Sequence, residues 1–300
     1  MQCPFPVMRR VSSKDLNVPS GYIQTPCGIC EICRKNFAHM WGTRVYHESL
    51  GYDRCCFITL TYSPDTLPFG CCGYPTIQID DVQGFFKRWR EYIAPEKIRY
   101  FCGCEYSPLN HLPHYHAAVF GASMWDKRVF TNHVLRDGGY SVDCRFWNKG
   151  YVHVGNLEIG SACYVAGYAL KKVMGSKNKD YYKNMDIVPP RALMSRNPGI
   201  GADFMYRNEE ALKRLGSCTV DSWIVNLPRY YADKLDVKNT ERYLQNLDEH
   251  QKKMYESWQR DAEKGVFAFQ DEIRRRFEVQ EFYRDKEFYH NQLIKDWKVK

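Results

Sequence analysis

Two histidines one residue apart, His114 and His116, stand at the mouth of an apolar run in the stretch LNHLPHYHAAVFG. In an extended chain alternate side chains share a face, so both imidazoles point the same way while Tyr115 points oppositely. Such a pair can be two hydrogen-bonded histidines on a half-exposed strand, or two ligands of a metal ion. Glu105 lies nine positions before His114, at the end of the preceding strand, where a tight hairpin would bring it alongside. A carboxylate with two imidazoles makes a three-ligand site that keeps positions open for water or phosphate. The mixed set suits Mn²⁺ or Mg²⁺ at a phosphoryl site, and ligand type alone also admits Zn²⁺. His111 competes for the third place, but a turn residue is held less firmly than a strand residue, which favours Glu105.

A second group of reactive side chains occurs in YVAGYALKK, where Tyr164 and Tyr168 are four apart and Lys171 and Lys172 follow. On a helix, both phenols and at least one ammonium share a face. Packing is the ordinary role of tyrosines at this spacing. A phenol, with a pKa of about 10, attacks at neutral pH only beside a polarised electrophile or a cation, and a metal site with adjacent lysines offers both. The third group is CGICEIC. Cys27, Cys30 and Cys33 have the spacing of a tetrahedral metal site, with Cys3 as a candidate fourth ligand, and structural Zn²⁺ or uncoordinated thiols are the two readings. Cys55, Cys56, Cys71 and Cys72 come as adjacent pairs, which chelate less readily, and read as structural.

The elements that must position these groups follow from periodicity. RKNFAHMWGTRVYHESL predicts a helix with Phe37, Met40, Trp41 and Val45 on one side. CCFITLTYS, KIRYFCGCEYS and HYHAAVFG predict strands, the last two as an antiparallel hairpin. DDVQGFFKRWREYI predicts a helix opened by capping aspartates, with Val82, Phe85, Phe86, Trp89 and Ile93 at helical spacing. After a loop containing Trp125 and Trp147, GYVHVG predicts a further strand, and LEIGSACYVAGYALKKVMG a helix. This order fits an α+β fold, an antiparallel sheet with helices packed on one side. The expected divisions are a Cys-rich segment with its helix over 1–50, a catalytic domain over 51–235, and a charged helical tail over 236–300.

Composition narrows the function. Lys and Arg exceed Asp and Glu by 43 to 35, a net charge of +8, and aromatic residues make up 15% of the 300. Basic charge interleaved with Tyr, Phe and Trp suits a polyanion whose bases can stack, which points to single-stranded nucleic acid. The start MQCPFPVMRRVSSKD lacks the apolar core of a signal peptide, and no run of about 18 apolar residues occurs, so a cytoplasmic protein is expected. Thirteen cysteines in that setting read as thiols or metal ligands. NPGIGADF carries glycines, but no Walker pattern occurs, so no ATPase or helicase is expected and duplex opening falls to supercoiling or a host helicase. The tyrosines of PRYY could stack bases or simply pack.

FITLTY, PHYHAAVFG and YVAGYALKK, in this order, resemble the three motifs of the HUH rolling-circle replication endonucleases. CGICEICR, IRYFCGCEYSP, MSRNPGIGADF and LPRYYADKL extend the resemblance to the replication initiation proteins of gokushoviruses, single-stranded DNA phages of the microvirus family, from about Cys27 to Lys234. The resemblance implies an HUH-type antiparallel sheet with flanking helices, and an enzyme that nicks one DNA strand at the phage replication origin in the cytoplasm of a bacterial host. On it, Glu105, His114 and His116 hold a divalent ion, Mn²⁺ or Mg²⁺, and Tyr164 or Tyr168 becomes linked to the 5′ end of the cut strand. Two tyrosines permit strand transfer that closes a circle. Lys171 and Lys172 neutralise phosphate or activate a phenol, Thr59 and Thr61 support the sheet and the DNA, and host polymerase and helicase are the expected partners. Gly167 stands where some relatives carry a basic residue, and a glycine there loosens the helix or lets it pack closely. Two other readings share parts of this pattern: a non-catalytic single-stranded nucleic-acid binder with a structural zinc, and a conjugative relaxase.

Overall fold

β-Branched and aromatic residues make Cys55–Thr61 a strand, β3, whose burial alternates along its length, with Cys56, Ile58 and Leu60 fully enclosed. The computed structural model describes residues 7–10, 22–27, 31–107, 110–158 and 182–237. In chain order it gives the hairpin β1 (Val7–Arg10) and β2 (Tyr22–Thr25), then helix α1 (Glu31–Ser49), β3 and helix α2 (Ile79–Ile93). These are followed by β4 (Arg99–Tyr106), β5 (Pro113–Phe120), β6 (Phe130–Arg136), β7 (Gly139–Cys144), β8 (Val152–Asn156) and β9 (Arg191–Met194). Seven strands form one sheet in the order β6-β7-β8-β3-β5-β4-β9, with every neighbouring pair antiparallel. The fold is α+β, as the sequence predicts. Among the described residues no helix is long and apolar enough to cross a membrane.

Both faces of the central strands carry helices, which corrects the expectation of helices on one side. On one face α2 lays Val82, Phe85, Phe86, Trp89 and Ile93 against Ile58, Leu60, Cys102, Tyr115, Ala117 and Val119. The Phe86 ring stacks on Tyr100 at 3.7 Å. Each of the large side chains so enclosed contributes about 1.5–3 kcal/mol. On the opposite face α1 places Val45 and Trp41 over Phe101, Ala118 and Phe120, with Trp41 stacked on Phe101 at 4.9 Å. The reason lies in β4 and β5, which are buried almost continuously rather than in alternation. A strand apolar on both faces needs cover on both.

Three further differences from expectation have local causes. Asp80 and Asp81 lie inside the first turn of α2, whose capping residue is Gln78. Asp81 instead accepts a hydrogen bond from the Tyr62 hydroxyl and pairs with Lys149. Part of the expected loop between Trp125 and Trp147 is the β6–β7 hairpin, closed by Asp137 and Gly138, both at positive φ. An Asp-Gly pair in a two-residue turn is the sequence signal for such a hairpin, but β6 exposes most of its side chains and so lacks an apolar alternation. Of the PRYY tyrosines, Tyr231 is fully buried in a third apolar cluster with Met205, Leu212, Cys218 and Leu227. That cluster joins the short helices Ala202–Arg207, Glu209–Leu215 and Arg229–Lys234 to the hairpin β10 (Ser217–Val220) and β11 (Trp223–Asn226). Of the tail, 238–300 lies outside the described residues.

Candidate metal-ligand site

The face under α1 divides in two. Toward one end, Phe101 of β4 and Ala118 and Phe120 of β5 are apolar and covered. Toward the other, the same alternation brings up Gly103 and Glu105 on β4, His114 and His116 on β5, and Thr59 and Thr61 on β3. The β4–β5 register sets Glu105 directly opposite His114, and Gly103 opposite His116. Because Gly103 has no side chain, β4 presents only the Glu105 carboxylate at that end of the face.

Both imidazoles reach the same carboxylate oxygen. His114 Nε2 lies 3.0 Å from Glu105 Oε1, and His116 Nε2 lies 3.3 Å from it. Ligand atoms of the three residues all lie within 4.8 Å of one another, and among the described residues they form the only such group of three His, Cys, Asp or Glu side chains. Glu105 is 1% exposed and His116 7%. His111, at positive φ in the turn, is not part of the group.

The remote nitrogens of the two rings are held by different means. His114 Nδ1 lies 3.2 Å from the Leu112 carbonyl, which can only accept, so Nδ1 carries the hydrogen. In the neutral ring the Nε2 lone pair then faces an oxygen that is itself an acceptor. Two lone pairs at 3.0 Å in a buried site call for a proton or a cation between them. His116 Nδ1 meets the Thr59 hydroxyl at 2.9 Å, and the two residues are paired directly across β3 and β5. The Phe57 ring, two residues back on the same face, stacks on His116 at 5.8 Å. Outer partners that orient ligand rings in this way are the usual surroundings of a metal-binding histidine.

The donor set therefore fits a divalent ion: two imidazole nitrogens and a carboxylate, preoriented on adjacent strands. Thr59 proves to be a partner of His116, a role that its expected support of sheet and DNA did not include. The only signal for it in the sequence is parity, since residues 57, 59 and 61 of β3 share the face of His114 and His116. Thr61 keeps a sheet-supporting place, its hydroxyl bonded to the Tyr151 carbonyl at 3.2 Å. Cys55 is desolvated and its thiol pushed up to about 11, while the fully buried Cys56 is pushed further, so neither is prepared to bind metal. Cys71 and Cys72 are exposed. Tyr164, Tyr168, Lys171 and Lys172 lie outside the described residues, as do Cys3 and Cys30.

Residues 55–173 match the family model of the replication-associated protein ORF2, a span that includes the ligand set and also Tyr164, Tyr168, Lys171 and Lys172. The chain is similar to the replication-associated protein ORF2 of Spiroplasma virus 4, 29% identical over 240 residues that cover 76% of this chain and 73% of that one. It is also similar to the replication-associated protein VP4 of Bdellovibrio phage phiMH2K, 27% identical over 252 residues, 78% of this chain and 74% of the other. No solved structure matches the chain significantly. The resemblance to microvirus replication initiation proteins that the motifs carry is thus borne out by relatives matched along more than three quarters of the chain.

Proposed function

We propose that this protein starts rolling-circle replication of a small single-stranded DNA phage as an HUH endonuclease, by nicking one DNA strand and later rejoining it. The observation that carries the reading is the convergence of His114, His116 and Glu105 on one point of a polar sheet face. A divalent ion bound there, Mn²⁺ or Mg²⁺, would polarise the scissile phosphate and offset the charge that develops on it. His114 and His116 would hold that ion through Nε2, each ring fixed by its Nδ1 partner, and Glu105 would supply the anionic ligand.

The nucleophile in this reading is the phenol oxygen of Tyr164 or Tyr168. It attacks phosphorus, the bond from phosphorus to the 3′ oxygen breaks, and the phenol proton passes to solvent while the departing oxygen is protonated. The products are a 5′-phosphotyrosine link and a 3′-hydroxyl that a host polymerase can extend. Tyr164 follows Asn156, the last residue of β8, by eight positions. At about 3.4 Å per residue that length is enough to return from the strand end to the ligand set two strands away. The second tyrosine allows one phenol to hold the displaced end while the other cuts the regenerated origin. Lys171 and Lys172 would counter phosphate charge beside them.

The test uses end-labelled single strands tiling the cognate phage genome, incubated with the full-length protein and Mn²⁺ or EDTA and resolved on denaturing gels. The expected result is a metal-dependent fragment with protein attached at its 5′ end. Retention of every strand by folded protein, with no cleavage and no adduct, would overturn the reading in favour of a binding module.

A further inference from the structure

The cysteine cluster before α1 has no part in the reaction above, and its geometry is that of a second metal site. Cys27 Sγ and Cys33 Sγ lie 3.9 Å apart. A disulfide would set them about 2.0 Å apart. Two thiolates on a tetrahedral zinc, each about 2.3 Å from the ion, stand about 3.8 Å apart, close to what is found. Cys27 lies just after β2 and Cys33 in the first turn of α1, so a strand end and a helix start supply one thiol each. Cys33 is 7% exposed, which shields a metal–thiolate bond from water.

Two features of the chain complete a four-thiol set. Cys30 sits three residues from each of the other two and directly precedes α1, where the backbone N–H groups of a helix start favour thiolate over thiol. The β1–β2 hairpin pairs Val7 with Thr25. It therefore returns the chain so that Cys3, four residues before Val7, is within reach of the segment that carries Cys27.

We propose that Cys27, Cys30, Cys33 and Cys3 bind one structural Zn²⁺ that fastens the β1–β2 hairpin to the start of α1. The set is all sulfur, tetrahedral in spacing and closed, unlike the nitrogen and oxygen set on the sheet, so the two sites would select different metals. The site has a consequence for the rest of the fold. α1 carries Trp41 and Val45 onto the sheet beside the ligand set, and Arg44 between the rings of Trp41 and Tyr230 at 4.0 and 4.2 Å. Anchoring its first turn would fix the helix that roofs that face.

The test is metal analysis of the full chain purified under reducing conditions, for wild type, Cys33→Ser, Cys3→Ser and His114→Ala. One zinc per chain is expected in wild type and in His114→Ala, with loss in both cysteine variants. Zinc lost from His114→Ala but kept in Cys33→Ser would place it on the sheet and overturn the proposal. Zinc kept in Cys3→Ser would overturn the four-thiolate assignment. Should the cysteine variants fail to fold, Co²⁺ exchanged into wild type decides the matter. A thiolate-to-cobalt charge-transfer band in the near ultraviolet supports the site, and its absence, with all thiols titrating by a disulfide reagent, refutes it. Stoichiometric iron in place of zinc would overturn the choice of metal.

Discussion

Thr59→Val tests the ligand set through a residue that does not itself belong to it. Valine keeps the β-branched shape, and so the strand, while removing the hydroxyl 2.9 Å from His116 Nδ1. Loss of an outer partner of a ligand histidine costs about 10–100-fold in metal affinity, or about 1.4–2.7 kcal/mol. The lower end is expected here. His114 keeps its bond to the Leu112 carbonyl, Glu105 stays buried, and the Phe57 ring still stacks on His116. Calorimetric titration of Mn²⁺ into wild type, Thr59→Val and Thr59→Ser, with thermal melts as a check on folding, should show about tenfold weaker binding for valine and recovery of most of it for serine. Mn²⁺ binding by folded Thr59→Val as tight as wild type would refute the claim that Thr59 holds His116. Equal weakening in the valine and serine variants would do the same, because only the hydroxyl is at issue.

Further expectations concern chemistry, binding and stability. His114→Ala should abolish nicking while keeping most of the affinity for single-stranded DNA, and that affinity should fall as salt rises, which filter binding over a salt series checks. Tyr164→Phe and Tyr168→Phe should divide the reaction, one losing the initial nick and the other strand transfer; full activity in both and in the double variant would remove the assignment. His47 bridges the Thr219 carbonyl at 2.7 Å and the Tyr231 hydroxyl at 3.1 Å, and burial holds its pKa below the ordinary histidine value. Because the unfolded chain takes up that proton first, His47 should destabilise the fold as pH drops below about 6.5. Melting temperature should decline on acidification, and His47→Gln should flatten the decline.

Residues near one another in the chain were legible because their geometry is local. Alternation along a strand puts His114 and His116 on one face whatever the rest of the molecule does, and the spacing to Glu105 leaves room for little but a hairpin. The same holds for α2, whose five buried residues are those its periodicity predicts. Tertiary structure alone decided which strand lies beside β5. Thr59 reaches His116 across 57 positions of sequence, and only the order β8-β3-β5-β4 makes them neighbours. It also decided that β4 and β5 are covered on both faces, since an apolar run does not reveal what packs against it, and that the mainly exposed β6 is a strand at all, since its place comes from pairing with β7. Periodicity records burial. It is silent where a strand is held by backbone hydrogen bonds or where a side chain finds its partner in a distant part of the chain.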